Sequence, residues 1–269
     1  MTETQMRITK NGQAIESLDA WLERAGPKSR DQWVSGRSAM ETARAWLEGG
    51  PAGLPPEVHA ILESSQHFGP PSHWRAEPEV KLRFDDFRGE TRNSDLVVWA
   101  SDRWGPYVMG VEAKADESFS QTVAEALNAA LERAIANPNS RGVPRIEQLV
   151  CSLLPPSVAG VPDIASLRYQ LLTACAGVLA EAARSDCSRA VMLVHEFITP
   201  KTSDVRHAAN ARDLERFVSR LSRGADDSIP VGQLQGPYIV PGMPLFENPP
   251  ALFIGKVQRN LREGLGSRV

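Results

Sequence analysis

The spacing of apolar positions changes twice along the chain, and each change marks a boundary. From Ser17 to Ser65 they recur every three or four residues, as amphipathic helices require. "SLDAWLERA" predicts a first helix, stopped by Gly26-Pro27. A second is predicted across "SRDQWVSGRSAMETARAWLEGG", where Trp33, Arg37, Met40, Arg44 and Leu47 share a stripe and Gly49-Gly50-Pro51 ends it. "PPEVHAILESS" predicts a third, with Val58, Ile61 and Leu62 on one face and Glu57 or Glu63 near its edge.

After Gly69-Pro70-Pro71 the texture becomes strand-like. "EVKLRFDDF", "SDLVVWA" and "YVMGVEAKA" predict three strands joined by the turn-rich "RGETRN" and "SDRWGP", the layout of an antiparallel meander. Helical spacing then returns in "FSQTVAEALNAALERAIAN". "IEQLVCSLL" reads as a strand or a short helix, and "DIASLRYQLLTACAGVLAEAARSD" as a long helix with Asp163 as N-cap. "RAVMLVHEFI" is nearly continuously apolar and predicts a strand in the middle of a sheet. "SDVRHAANARDLERFVSRLS" predicts a last helix, and the Gly- and Pro-rich tail holds one short strand candidate, "PYIV". Strands separated by helices pair in parallel, so the order predicts one α/β domain over residues 1–269. A helical region fills about 15–66, a core about 55–220, and a C-terminal extension 221–269.

Composition narrows the possible functions. A chain of 269 residues with net charge −3 can bury a sizeable core but presents no generally basic surface, so any nucleic-acid site must be a local patch. Arg37, Arg44, Arg92 and Arg168 are candidates for it. Three cysteines with no CxxC pair argue against a disulfide framework and a zinc ribbon, and a reducing cytoplasm is the expected location. "MTETQMRITKNGQ" lacks the apolar core of a signal peptide, and no run is long enough to span a bilayer, so no membrane partner is expected. His59, His67 and His73 fit no metal-ligand spacing. No Gly-rich phosphate loop, HExxH helix or G-x-S-x-G elbow is present, which leaves kinase, zinc-protease and serine-hydrolase readings without support.

Candidate chemistry sits on the predicted hairpin. With its turn centred between Arg103 and Trp104, Asp95 falls opposite Glu112, and strand alternation puts Glu112 and Lys114 on one face with Val111, Ala113 and Ala115 on the other. Two carboxylates directly across a ladder repel unless neutralised. Mg²⁺ suits such a pair, because it takes one or two protein carboxylates and completes its shell with water and phosphate oxygens; Mn²⁺ is a possible substitute. Lys114 can then orient or deprotonate water, or offset charge building on phosphorus. Without a cation, removing either carboxylate should relieve strain. The same residues also fit a solvated sheet face bearing a cross-strand ion pair, which contributes little.

"SDLVVWA" followed by "GVEAKADE" resembles the hallmark of the PD-(D/E)XK nuclease superfamily, an Asp opening one strand and Glu-x-Lys on its antiparallel neighbour. Ser94 stands where the family name has Pro. The motif-bearing similarity covers roughly residues 55–135, and the "RYQLL" helix is similar to that of bacterial proteins assigned to this fold. The resemblance implies a restriction-endonuclease-like mixed sheet flanked by helices. It also implies Mg²⁺-dependent phosphodiester hydrolysis, with DNA the expected partner and RNA an alternative. By this resemblance Asp95 and Glu112 are the metal ligands and Lys114 is the base or charge stabiliser. Many members add a Glu from the helix before the first strand: Glu63 is the candidate, with Glu79 able to take its place. Arg168, Gln170 and Gln121 are candidate substrate contacts, although helix-terminal polarity accounts equally well for Gln121. A non-catalytic binding module on the same fold is the competing reading, and a homodimer is left open.

Overall fold

Ser17 accepts a hydrogen bond from the Ala20 amide and starts α1 (Leu18–Ala25), the first element of a helical layer. The structure is a computed structural model and describes residues 7–27, 29–49, 53–88 and 93–262. Ahead of α1 lies a small hairpin, β1 (Thr9–Lys10) and β2 (Gln13–Ala14). The predicted second helix is broken. A 3-10 turn covers Arg30–Gln32, Gly36 adopts φ 88°, and only then does α2 (Ser38–Glu48) begin. A positive φ at Gly36 is incompatible with a continuous helix, which is why the stripe through Trp33 and Arg37 does not form one face. α3 (Pro56–Glu63) follows as expected, burying Val58, Ile61 and Leu62.

Three strands form the predicted meander: β3 (His73–Lys81), β4 (Asn93–Asp102) and β5 (Gly105–Lys114). Of the strand predicted over Glu79–Phe87 only Glu79–Lys81 belongs to β3, which reaches back through Pro78 to His73. β3 occupies the edge of the main sheet, where proline is tolerated. α4 (Val123–Ala136) opens on a capping box between Thr122 and Glu125. The ambiguous segment is a helix, α5 (Gly142–Leu153). Asp163 caps a 3-10 turn at Ile164–Ser166, and the long helix α6 (Tyr169–Arg184) begins after it. β6 (Arg189–Ile198) and α7 (Asp204–Leu221) match their predictions.

The largest departure lies in the tail. Beyond the short β7 (Leu234–Tyr238) runs β8 (Ala251–Asn260), which the sequence reading placed in an extension outside the core. β8 lies inside the sheet. Among the described residues the main sheet has six strands in the order β3-β4-β5-β6-β8-β7, with the β5–β6 and β6–β8 pairs parallel and every other neighbouring pair antiparallel. α4 to α7 cover one face, where Leu171, Cys175 and Phe217 pack on Val108, Val194 and Ile254. α1 to α3 cover the other, where Trp46, Val58 and Ile61 pack on Met109, Leu193 and Phe253. The fold is a mixed α/β sheet flanked by helices with a helical N-terminal region. No described helix is long and apolar enough to cross a membrane.

Because β8 pairs along its whole length with β6 and carries β7 on its other side, its loss exposes both helical layers. A chain ending at Pro250 is expected to lose cooperative thermal unfolding. Circular dichroism melting checks this, and a sharp transition near that of the full chain would contradict it.

Candidate functional site

The hairpin register is the predicted one: Leu96 pairs with Val111 and Val97 with Gly110, which sets Asp95 beside Glu112 at the open end of the ladder. Glu112 and Lys114 therefore point with Val108 and Gly110 into the layer formed by α6. A Cβ on Gly110 would lie 3.4 Å from the Val178 side chain, so α6 runs close over this strand. Both charged side chains are buried, at 3% and 4% exposure. They answer each other: Lys114 Nζ lies 2.8 Å from Glu112 Oε1. Gln170, in the first turn of α6, closes a triangle by accepting from Lys114 Nζ at 3.2 Å and donating its amide to Glu112 Oε1. The Phe119 ring lies 5.1 Å from Nζ and adds a cation–π contact.

This triangle corrects the strain expectation. A buried Lys114 that loses Glu112 becomes an uncompensated charge, so removing that carboxylate destabilises the fold instead of relieving it. Asp95 is held separately, its Oδ2 accepting the Ala113 amide at 2.7 Å.

A pocket of about 210 Å³ opens here, lined by Glu79, Asp95, Glu112, Lys114, Glu117 and Gln170 on one side. Trp21, Trp33, Ser38 and Thr42 from the N-terminal region line the other. Glu79 takes the place expected of Glu63. It adopts φ 51°, uncommon for a non-glycine residue, between the paired Pro78 and Val80, and its Oε2 accepts from Asn93 at 3.0 Å. Glu63 is not at the site: its side chain is 64% exposed and its carboxylate lies 3.7 Å from His59. α3 packs on β8, on the far side of the sheet from β3, which takes Glu63 away.

Of the expected substrate contacts only Gln170 lines the pocket. Arg168 ties helices together, with Nε 2.8 Å from Asp213 and Nη1 2.8 Å from the Ser120 carbonyl. Gln121 precedes the α4 cap, and its carbonyl accepts the Tyr169 amide. The proposed arginine patch does not assemble. Arg37 pairs with Asp116 at 3.1 Å and Arg44 with Glu41 at 2.9 Å; Arg92 lies outside the described residues.

Glu117, which by sequence fits the charged end of a strand and the start of a turn, reaches the pocket while accepting from Ser38 Oγ at 2.7 Å and the Ala115 amide at 2.9 Å. His195 and Glu196, polar residues at the end of an apolar strand, belong to buried clusters beyond Lys114. By register Glu196 neighbours Lys114 on β6. It is fully buried among Lys256 at 2.8 Å, Gln258 at 2.6 Å and His207 at 2.8 Å. Burial works against its charge, but these partners outweigh it and hold the carboxyl below its usual range. On the opposite sheet face, Glu57 binds His195 Nε2 at 2.8 Å and Arg259 at 2.7 Å. The polar ends of β6 and β8 signalled these clusters, but only the fold supplies their partners.

The donor set can be weighed against a metal. Among the described residues no group of three His, Cys, Asp or Glu side chains gathers closely enough to hold one. Mg²⁺ does not require three, and Asp95 with Glu112 on one pocket wall meets its usual protein share.

The family match covers residues 14–249 and is to "Domain of unknown function (DUF6946)". The chain belongs to this family. No curated protein and no solved structure matches it.

The charged clusters give stability a definite pH dependence. Burial raises the Glu57 carboxyl, but His195 and Arg259 outweigh it and bring it from 4.5 to about 2. Its contribution is therefore present above about pH 4.5 and is lost as pH falls towards 2. Burial pushes the His195 imidazole below 6.5, against the pull of Glu57, so unfolding takes up a proton there too once the pH is under 6.5. Both act in one direction. The urea midpoint should fall steadily from about pH 6.5 downwards, and Glu57→Gln should remove part of that slope. A midpoint that holds or rises on acidification contradicts the assignment.

Proposed function

We propose that this protein is a metal-dependent nuclease of the PD-(D/E)XK type, hydrolysing a phosphodiester bond at the Glu79, Asp95, Glu112 and Lys114 pocket. The observation that carries the reading is the meeting of Asp95 and Glu112 on one pocket wall with a lysine locked beside them. Asp95 and Glu112 would hold Mg²⁺ or Mn²⁺, which when bound supplies positive charge to phosphate oxygens. Addition of water across the ester gives a phosphate monoester and a free hydroxyl. Lys114 keeps its ammonium next to the site and offsets the negative charge that builds on phosphorus. Gln170 fixes the orientation of both Lys114 and Glu112, and Glu79 and Glu117 offer further oxygens for water. DNA is the proposed substrate, with RNA the alternative. None of the described cysteines forms a disulfide, which suits the cytoplasm as the place of action.

One observation favours a non-catalytic module. Glu112 is already neutralised within the protein by Lys114 and Gln170, so the pair of carboxylates does not by itself demand a cation. Activity separates the readings. Wild type should cleave nucleic acid only when Mg²⁺ or Mn²⁺ is present, and Asp95→Asn should lower the rate at least about a hundredfold, on the scale of removing one charge-stabilising group. Lys114→Met should lower it comparably while leaving Mn²⁺ affinity within a few-fold, since an ammonium has no lone pair for a metal. Wild type inert towards every DNA and RNA with either metal, or an Asp95→Asn variant of full activity, contradicts the proposal.

A further inference from the structure

The pocket has two unlike walls, and the nuclease reading uses only one. Its sheet side is charged, with Glu79, Asp95, Glu112 and Lys114. Its other side comes from the N-terminal region and is aromatic, with Trp21 almost wholly buried and Trp33 half-buried. Trp33 lies in the irregular stretch between α1 and α2, just after the 3-10 turn, so its place is set by tertiary contacts and not by a helix stripe. That stretch is fastened to the site itself. Arg37 pairs with Asp116 at 3.1 Å, and Ser38 Oγ donates to Glu117 at 2.7 Å, both immediately beyond the end of β5. The aromatic wall therefore stands at a fixed distance from the charged one.

With a cation on Asp95 and Glu112 to offset the carboxylates of the charged side, a nucleotide would set its anionic phosphate there and its flat π surface towards Trp33. A volume of about 210 Å³ falls below the ~300–1,000 Å³ of ordinary small-molecule pockets, so it has no room for a stacked pair of bases. In a duplex each base is held between its neighbours and against its partner, and cannot reach the indole without being extruded. An unpaired strand has no such cost, and its bases stack on aromatic side chains with little regard to sequence.

Resting on the nuclease reading for the role of the charged wall, we propose that the substrate is single-stranded nucleic acid, taken one unpaired nucleotide at a time, with its base stacked on Trp33. Trp33 is then a specificity-determining residue, and paired DNA is excluded by the wall that carries it.

The test measures binding and hydrolysis separately. Fluorescence anisotropy with a labelled oligonucleotide of about 12 residues, as single-stranded DNA, single-stranded RNA and blunt DNA duplex, is read with Ca²⁺ in place of Mg²⁺. One or both single strands should bind at least about tenfold more tightly than the duplex. Trp33→Leu, which keeps apolar bulk for packing, should weaken that binding about tenfold, and Trp33→Phe, which keeps a ring, should retain most of it. Mn²⁺ affinity measured by calorimetry should be the same in all three proteins. Duplex bound as tightly as single strands, Trp33→Leu binding like wild type, or no oligonucleotide bound at all would each overturn the proposal. Single-strand binding that depends on Trp33, in a protein that hydrolyses nothing, would uphold this pocket and overturn the nuclease reading. Trp33-independent cleavage of duplex would do the reverse.

Discussion

The Glu112–Lys114 ion pair is the contact on which the site's architecture depends. β5 is covered on both faces, and a strand in that position ordinarily carries apolar side chains throughout. Placing a carboxylate and an ammonium two residues apart on its inner face leaves two charges that neither helical layer solvates. Each is costly to bury alone, by several kcal/mol even after relaxation, and together they are tolerable only with good geometry and filled hydrogen bonds. Gln170 meets that requirement because its amide offers an acceptor to one charge and a donor to the other. The start of α6 is thereby tied to the end of β5. The break before it, at the 3-10 turn capped by Asp163, allows the helix to begin at the right height.

The same solution recurs along the sheet. Glu196 beside Lys114, and Lys256 and Gln258 on β8, continue a line of compensated charge across three parallel strands. On the other face, Glu57 gathers His195 and Arg259. Such networks are high-stakes, since a satisfied one fixes a unique arrangement and a partly satisfied one destabilises. The ends of β6 and β8 are accordingly polar on both faces, with His195 and Glu196 on one strand and Gln258 and Arg259 on the other, while β5 is polar only on the face that carries Glu112 and Lys114. This polarity gathers the Glu112, Lys114, Glu196 and Glu57 clusters at one rim of the sheet.

How much of this the sequence disclosed follows from which interactions are local. The Asp95–Glu112 register was readable because a short turn at Arg103 and Trp104 dictates it. The helices α1, α3, α4 and α7 announced themselves through spacing and caps. β8 did not, although Pro249-Pro250 bounds an apolar run from Ala251, because Gly255 and Lys256 interrupt it and its membership in the sheet rests on pairing with residues about sixty positions earlier. Glu79 was legible only as an alternative, since a left-handed glutamate is a product of its neighbours' pairing and not of its own preference. The aromatic wall was not legible, since the spacing shows Trp33 only as part of a helix stripe. Trp33 and Trp21 do pack on the N-terminal core, and their second role as pocket lining appears only when Arg37 and Ser38 dock on the end of β5.

On the proposed reading a cation between Asp95 and Glu112 would turn this compensated cluster into a catalytic one, and such a cation can be looked for directly. Crystals grown without divalent metal and then soaked in Mn²⁺, measured above the manganese absorption edge, should give one strong anomalous peak in the pocket within coordination distance of an oxygen from each of Asp95 and Glu112, about 2.0–2.2 Å for a small hard cation. A peak elsewhere, or an intact Lys114–Glu112–Gln170 triangle with no peak at saturating Mn²⁺, would contradict the account.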